Sequence, residues 1–290
     1  MATQTATTGL LENAQGIMLA TSRYTAEHSA PCANLIEHMT LKKGQKQITV
    51  PKVAQMTMQN LTDGVDLVDS EDIGMTTVDL TTGEAGLKVI LTDKLLRQEN
   101  DNVFTIVGKQ MGDARARKYD RDIIALFSAL NGGTTLGADD KNMSLGNIGA
   151  CIAWAKSHKC PSPIQVVHHP NAVYALTNSM TLSPAATYPI PKGYAEDLLS
   201  DFYKISLNRV AIFEDGNIDK ISSVDSGYGA IFSKGAMVLV ESKAPDTERE
   251  RDASLRAWEL VLTCDYGVFE LDDTMGAPMR FEIGDPSTSA

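Results

Sequence analysis

Residues 104–130, FTIVGKQMGDARARKYDRDIIALFSAL, carry the strongest helical pattern in the chain. At 100° per residue the apolar side chains of this segment fall on one broad stripe, which predicts a long helix over 100–130. At 1.5 Å per residue such a helix is roughly 45 Å long. The predicted buried stripe consists of Phe104, Gly108, Gly112, Ala116, Tyr119, Ile123, Leu126, Phe127 and Leu130.

Two glycines lie on this predicted stripe. Gly108 and Gly112 each cost a helix about 1 kcal/mol relative to alanine, so their position favours the close approach of another backbone. A simple kink of the helix at the glycines is the alternative interpretation. The sequence 131–133, Asn-Gly-Gly, predicts the end of the helix, because glycine is common just after a helix.

The composition is that of a folded, acidic protein. The 290 residues include 26 Lys and Arg against 37 Asp and Glu, for a net charge of −11, and 43% of them are hydrophobic. These values predict one or two globular domains, and the acidity argues against a surface that binds phosphate backbones throughout. We expect no signal peptide and no membrane span. The four cysteines are widely spaced, which favours reduced, packed thiols.

The segment before the long helix reads as an arm followed by extended strands. Residues 1–30 are rich in Ala, Thr and Ser, and Pro31 is placed to begin a short helix that runs to about Leu41. Between Gln47 and Thr92 the apolar period is two, which predicts a long hairpin with strands at 48–50, 53–58, 75–80 and 87–92. From Val53 to Leu87 there is no Lys or Arg. The same span contains the acidic residues Asp63, Asp66, Asp69, Glu71, Asp72, Asp79 and Glu84.

The segment after the long helix alternates helices and strands and then returns to strands alone. Helices are predicted at 145–158, 170–179 and 194–203, with strands at 164–168 and 210–213. Five further strands are predicted at 229–232, 236–240, 253–264, 268–271 and 279–283. In the longest of them, Trp258, Leu260, Leu262 and Cys264 share one face. The pattern predicts a small α/β or α+β unit followed by a region of strands.

Motifs for catalysis and metal binding are weak. Cys151, His158, Cys160, His168 and His169 offer zinc-type ligands, but their spacing lacks the two close pairs of a tetrahedral framework. We interpret them as structural, with a small metal-dependent enzyme as the rival hypothesis. The acidic run 63–72 lacks the ligand spacing and the central glycine of an EF-hand. It is interpreted as a solvated or partner-facing loop, and no cofactor is expected.

The order of these elements resembles the tailed-bacteriophage major capsid proteins of Hong Kong 97 type. Residues 113–117 (DARAR), with Asp120 and 123–127 (IIALF), resemble the spine helix of that family. Residues 165–170 (QVVHHP) resemble the strand-to-helix step of its axial domain. Residues 249–263, followed by 265–268 (DYGV), resemble its long peripheral-domain strand and the turn after it.

The resemblance implies an α+β Hong Kong 97-like capsid fold, with an N-terminal arm, an extended β-hairpin loop, a peripheral domain with a long spine helix, and an axial domain. The implied segments are the arm 1–30, the start of the peripheral domain 31–46, the extended loop 47–92, the peripheral domain with the spine helix 93–144, the axial domain 145–243, the long peripheral strand 244–270, and the C-terminal strand and tail 271–290. It also implies self-assembly into hexamers and pentamers of an icosahedral head around double-stranded DNA. Assembly would take place in the bacterial cytoplasm, with portal, scaffolding and decoration proteins as partners.

An isolated long hairpin is at best marginally stable in water, so we expect the acidic hairpin to lie over basic residues of an adjacent subunit. The residues of this predicted contact are Asp63, Asp66, Asp69, Glu71, Asp72, Arg115, Arg117, Arg249, Arg251 and Arg256. Some family members join their subunits covalently through a Lys and an Asn, but no Lys lies between Val53 and Leu87. We therefore expect a non-covalent shell. An encapsulin-like compartment that encloses cargo protein is the alternative with the same fold.

Overall fold

The computed structural model describes residues 30–53, 74–98, 103–181, 205–207 and 209–288, together with positions 56, 58, 60, 63 and 66. The predicted arm up to residue 29, the strand beyond Val53, the helix 194–203 and the start of the long helix at 100–102 lie outside these residues. None of the described helices combines the length and apolar character needed to cross a bilayer.

Five helices and twelve strands are present in the described residues. Helices α1 to α5 span Cys32–Leu35, Asp93–Gln98, Val103–Phe127, Leu145–Ser157 and Pro170–Thr181. Strands β1 to β12 span Glu37–Thr40, Gln47–Val53, Met75–Thr81, Gly83–Thr92, Leu136–Gly137, Ile164–His168, Ile205–Leu207, Val210–Glu214, Ser226–Ser233, Met237–Asp252, Ala257–Glu270 and Gly276–Glu282.

A four-stranded sheet of order β1-β10-β11-β4 is built around the antiparallel hairpin β10–β11. Strand β4 pairs antiparallel along β11, and β1 pairs parallel with the start of β10. The predicted helix from Pro31 to Leu41 is therefore wrong beyond Leu35. Residues 37–40 instead pair their backbone with Val238–Glu241, so tertiary strand pairing outweighs the local helical pattern.

The strand that was predicted at 253–264 begins at Ala257 in the structure, four residues later than predicted. Asp252 Oδ1 accepts hydrogen bonds from the backbone N–H of Ser254 and Leu255 and from the Ser254 hydroxyl, which is the local bonding that makes Asp a turn residue. Arg256 then adopts a positive φ of 48°. The turn therefore occupies 253–256, and the predicted strands 253–264 and 268–271 are one strand, β11.

The second large sheet has six strands in the order β5-β12-β9-β6-β8-β7, and helices α4 and α5 pack on it. The predicted helices at 145–158 and 170–179 and the strand 164–168 are confirmed. Helix α4 begins after Ser144, whose side chain accepts from the N–H of Asn147, as expected of an N-cap. Ile152, Val166, Leu176 and Met279 are fully or almost fully buried in this core.

Helix α3 confirms the predicted long helix and its C-terminal contacts. Tyr119, Ile123 and Phe127 are buried in a core shared with α1, with β11 of the four-stranded sheet and with β9 of the six-stranded sheet. Gly108 and Gly112 are exposed, and a Cβ added at either would meet no atom within 4 Å. The predicted close approach of another backbone at the two glycines is therefore wrong within this chain. Met111 lies on the buried face of α3, whereas Gly108 and Gly112 lie on an exposed part of the helix.

The hairpin β2–β3 runs from the pair Gln47↔Thr81 to Val53↔Met75. Its base is packed rather than isolated. Leu80 is completely buried in a small core with Leu41, Val238 and Val240. The described hairpin thus has a buried base and an exposed far end.

Candidate subunit-contact surfaces

The far end of the hairpin β2–β3 exposes apolar and acidic side chains together. Met58 is 99% exposed, and Val53, Met56 and Met75 are each more than half exposed. Asp63 and Asp66 are also exposed, whereas Asp69, Glu71 and Asp72 lie outside the described residues. Large apolar side chains grouped with charges on a free surface are typical of an interaction site. We call the stretch of sequence 53–75 the hairpin tip; the structure describes only positions 53, 56, 58, 60, 63, 66, 74 and 75 of it.

The base of the same hairpin is joined to the body by an ion pair. Lys52 Nζ lies 2.6 Å from Asp272 Oδ1, and the Asp272 side chain is only 11% exposed. Burial raises the pKa of Asp272, but hydrogen bonds from Lys52 and Thr274 outweigh it and hold the pKa below its usual value. Burial, followed by the nearby Asp273 carboxyl, raises the pKa of Glu270 to about 7.

The far end of the β10–β11 hairpin gathers the predicted basic residues 249–256. The guanidinium of Arg249 stacks over Trp258, 4.4 Å from the ring centroid. Arg251 pairs with Asp93 at 2.9 Å. The carbonyl of Arg256 accepts a hydrogen bond from the Asp93 N–H at 2.8 Å. Arg249 and Arg251 therefore already serve to join the two strands and the start of α2 within one chain.

Arg115 and Arg117 lie on α3 beside an apolar cleft. Arg115 stands over the Tyr119 ring at 5.5 Å from its centroid, and Arg117 is exposed. The cleft has a volume of about 210 Å³ and separates α3 from strands β4 and β11. Its lining residues are Ala85, Gly86, Leu87, Met111, Ala114, Arg115, Lys118, Tyr119, Leu262, Cys264 and Tyr266. We call it the α3 cleft.

The predicted contact residues that the structure describes therefore lie on three separate surfaces, namely the hairpin tip, the basic edge of the α3 cleft and the end of the β10–β11 hairpin. A family model described as phage capsid protein matches residues 75–277, which is more than half of the chain. This chain belongs to the phage capsid protein family. A search of curated proteins finds no match.

Solved structures show the same fold as this capsid protein at low sequence identity. A structure from Mycobacterium phage Che8 has a TM-score of 0.69 at 17% identity and covers 88% of this chain and 93% of the other. The cyanophage Pam1 capsid asymmetric unit has a TM-score of 0.69 at 12% identity, covering 91% and 97%. The capsid of Ralstonia phage GP4 has a TM-score of 0.68 at 11% identity, covering 88% and 89%. The capsid protein thus has the predicted α+β Hong Kong 97-like fold.

The rival metal ligands do not come together in the capsid protein. Cys151 is buried in the core under α4, His158 stacks on Trp154 at 4.2 Å, and Cys160 donates weakly to the Thr274 carbonyl. His168 is completely buried at the end of β6. Membership of a capsid family assigns the chain a structural role, and among the described residues Cys151, His158, Cys160 and His168 do not form a metal site.

Sequence reasoning missed the contacts that join distant segments. Nothing in the local pattern around Lys52 identifies Asp272 as its partner, because 220 residues separate them. A second missed group is the buried set of Cys32, Asp120 and Asp215. The one signal available in the sequence is that Asp120 lies one residue after Tyr119 and three before Ile123, on the buried side of the predicted helix.

Proposed function

We propose that this capsid protein is the major shell subunit of a tailed double-stranded DNA phage, and that it assembles into homo-hexamers and homo-pentamers of an icosahedral head. The four-stranded sheet with α3 would form the peripheral domain, and the six-stranded sheet with α4 and α5 the axial domain. The observation that carries this proposal is the pair of complementary surfaces left by the fold, an acidic and apolar hairpin tip and a basic and apolar α3 cleft.

The tip of one subunit would lie over the α3 cleft of its neighbour. Among the described residues no carboxylate pairs with Arg115, whereas Arg251 is already paired with Asp93. Arg115 is therefore better placed than Arg251 to receive a carboxylate from outside. The exposed Met58 side chain would cover apolar surface such as Leu87, which is 39% exposed in the single chain.

The charge part of this contact predicts salt-sensitive assembly. Exposed ion pairs contribute only about 0 to 1 kcal/mol each, but many identical contacts repeat in a shell. The test variant replaces four tip carboxylates by amides, Asp66→Asn, Asp69→Asn, Glu71→Gln and Asp72→Asn. The matched control removes the same charge elsewhere through Asp219→Asn, Asp225→Asn, Asp246→Asn and Asp285→Asn. Light scattering against salt concentration should show a shifted assembly midpoint for the tip variant alone, and equal shifts in both variants would contradict the contact.

The contents of the particle distinguish a phage head from an encapsulin-like compartment. A net charge of −11 favours confinement of DNA without adhesion to the wall, so we expect packaged DNA without sequence-specific contacts. Electron microscopy of particles from infected cells, followed by nucleic-acid extraction, should find DNA inside shells. Shells that hold only cargo protein would contradict the phage assignment. A chain that never assembles at high concentration would contradict any shell role.

The remaining partners follow from the same proposal. A head that packages DNA needs a portal and a scaffold, and decoration proteins are a further expected class, all meeting the subunit in the bacterial cytoplasm. No Lys lies between Val53 and Leu87, so the proposed shell is non-covalent. Boiled in detergent, it should migrate as 31.3 kDa subunits. A ladder of covalent multimers would contradict this.

A further inference from the structure

A buried set of polar groups joins α1, α3 and the turn after β8. The Cys32 N–H donates to Asp120 Oδ1 at 3.1 Å, and the Cys32 thiol donates to Asp215 Oδ2 at 3.2 Å. Asn217 donates from its backbone to Asp215 Oδ1 and from its side chain to Asp120 Oδ2, both at 2.9 Å. Cys32, Asp120 and Asp215 are completely buried, and Asn217 is 4% exposed.

Two carboxylates without a cation are costly in such a place. The ion pairs of the described residues join neither Asp120 nor Asp215 to a Lys or Arg. One carboxyl oxygen of Asp120 and one of Asp215 lie within 4.8 Å of each other, so a proton on one of the two groups would remove the repulsion between them. Burial raises the pKa of Asp215 to about 7, and the hydrogen bond to Asp120 adds to the increase. Burial also raises the pKa of the Cys32 thiol, so the thiol remains a donor.

The other described elements around Asp215 supply no compensating charge. From β6 the contact is through the backbone, where the His168 carbonyl accepts from the Asp215 N–H at 3.0 Å. Burial lowers the pKa of the His168 ring to about 3, so that ring is neutral. On the same turn Glu214 is exposed, and Asp219 pairs with Arg121 of α3 at 3.6 Å. Without a cation from the described residues, a proton on one of the two carboxyl groups would remove one of the two buried negative charges.

We propose that Asp120 and Asp215 share one proton, and that this proton locks α1, with the N-terminal residues attached to it, onto α3 and the β8–β9 turn. Helix α1 has a single turn, and Cys32 supplies both of its hydrogen bonds to the set. Loss of the proton leaves two negative charges in a fully buried site, and moving α1 away admits water to them. The lock is a pH-sensitive joint between α1 and the body of the subunit.

The sign of the effect follows from linkage. A carboxyl whose pKa is raised in the closed state binds a proton that the open state has already lost, so closure is favoured at low pH. Between the ordinary pKa of an Asp and the raised value, the open population should increase about tenfold for each pH unit. Above the raised value both states are ionised, and the open population should stay constant.

Hydrogen exchange of the full-length, unassembled chain tests the lock. The measurement is the protection factor of the Cys32 and Asn217 amides at about pH 5, 6 and 7, after correction for the intrinsic exchange rate at each pH. The wild-type protection should fall about a hundredfold across this range. A peptide from α4, residues 148–155, should show no comparable fall, because its buried residues belong to a different core cluster from that of Cys32.

Two variants separate the proton from other causes. Asp215→Asn keeps a hydrogen-bonding side chain without a titrating group, and should make the Cys32 protection independent of pH. Asp219→Asn, on the same turn with its side chain 80% exposed, should keep the wild-type slope. A flat wild-type profile overturns the proposal whether or not Asp215→Asn folds, and so does a slope that persists in Asp215→Asn. Protection that requires added Zn²⁺ and is lost with a chelator would assign the set to a metal and overturn it as well.

Discussion

Lys52 on strand β2 and Asp272 just after strand β11 form an ion pair of 2.6 Å across 220 residues of sequence. The pair joins the exposed hairpin to the body at the point where its buried base ends. Packing of Leu80 fixes one side of the hairpin base, and the ion pair fixes the strand opposite it. Lys52 thus adds a polar contact between the hairpin and the body beside the apolar packing of Leu80.

Replacing this lysine should loosen the hairpin without unfolding the chain. In Lys52→Met the amides of 47–53 and 75–81 should exchange faster, because Asp272 loses its cation while the Leu80 core remains. The loss of global stability should be at most about 1 kcal/mol, because Lys52 is half exposed. Lys220→Met, which removes an exposed pair with Asp225, is the control. Equal hairpin exchange in wild type and Lys52→Met would show that the ion pair does not hold the hairpin.

The acidic group beside Lys52 should make stability depend on pH. The pKa of Glu270 is raised to about 7 by burial and then by Asp273, so Glu270 stabilises the fold at low pH, and this contribution is lost as pH rises through about 7. Glu270→Gln removes that titration. Urea unfolding at about pH 5 and about pH 7 should therefore show a smaller decrease for Glu270→Gln than for wild type. The difference between the two proteins isolates Glu270 from Asp215, which titrates in both.

Replacement by alanine should have opposite effects on the stability of the subunit at Gly229 and at Gly108. A Cβ at Gly229 would lie 2.3 Å from His168 Cδ2 and 2.5 Å from the Val167 carbonyl oxygen, so Gly229→Ala forces apart two strands of the six-stranded sheet and should be strongly destabilising. A Cβ at Gly108 meets nothing within 4 Å, so Gly108→Ala should stabilise the unassembled subunit by about 1 kcal/mol. Thermal unfolding measures both. A stable Gly229→Ala protein would contradict the close packing of β9 on β6.

The end of the β10–β11 hairpin should lose stability when its stacked arginine, Arg249, is replaced by lysine. Arg249 lies 4.4 Å from the Trp258 centroid and 5.4 Å from that of Phe104. Arg249→Lys keeps the charge but loses the planar stacking, which should cost about 0.5 to 1 kcal/mol. Unfolding in urea, followed by tryptophan fluorescence, measures the loss. Arg256→Lys is the control, and an equal loss there would deny a special role to the stack.

Periodicity predicted the elements that local sequence determines. The long helix, α4, α5 and β6 have strong patterns of their own, and each is confirmed. The segment 37–40 failed because its structure is decided by pairing with Val238–Glu241, a partner two hundred positions away. Gly108 and Gly112 were wrongly predicted to be buried. The apolar pattern of a helix shows which face is apolar, but it does not show how far along the helix that face is covered by other elements.

The candidate contact surfaces could likewise be predicted only in part from the sequence. The acidic character of the hairpin tip can be read directly from the absence of Lys and Arg between Val53 and Leu87. The contacts that Arg249 and Arg251 make within the chain could not be predicted from the sequence, because their partners, Phe104 and Asp93, belong to other elements. Likewise the carboxyl pair of Asp120 and Asp215 exists only because α3 meets the β8–β9 turn. Charge runs are visible in a sequence, whereas the choice between an internal and an external partner requires the fold.

Met58 should matter to assembly and not to the subunit. Its side chain is 99% exposed, so Met58→Ser should change the free energy of unfolding of the single chain by no more than about 0.5 kcal/mol. If the tip covers the α3 cleft of a neighbour, the same change removes apolar contact that is worth about 1.5 to 3 kcal/mol when fully buried. The concentration needed for assembly should then rise at least about tenfold. Met58→Leu conserves the apolar volume and should assemble as wild type does. Light scattering against concentration compares the three proteins, and a Met58→Ser chain that assembles at the wild-type concentration would place the hairpin tip outside the subunit interface.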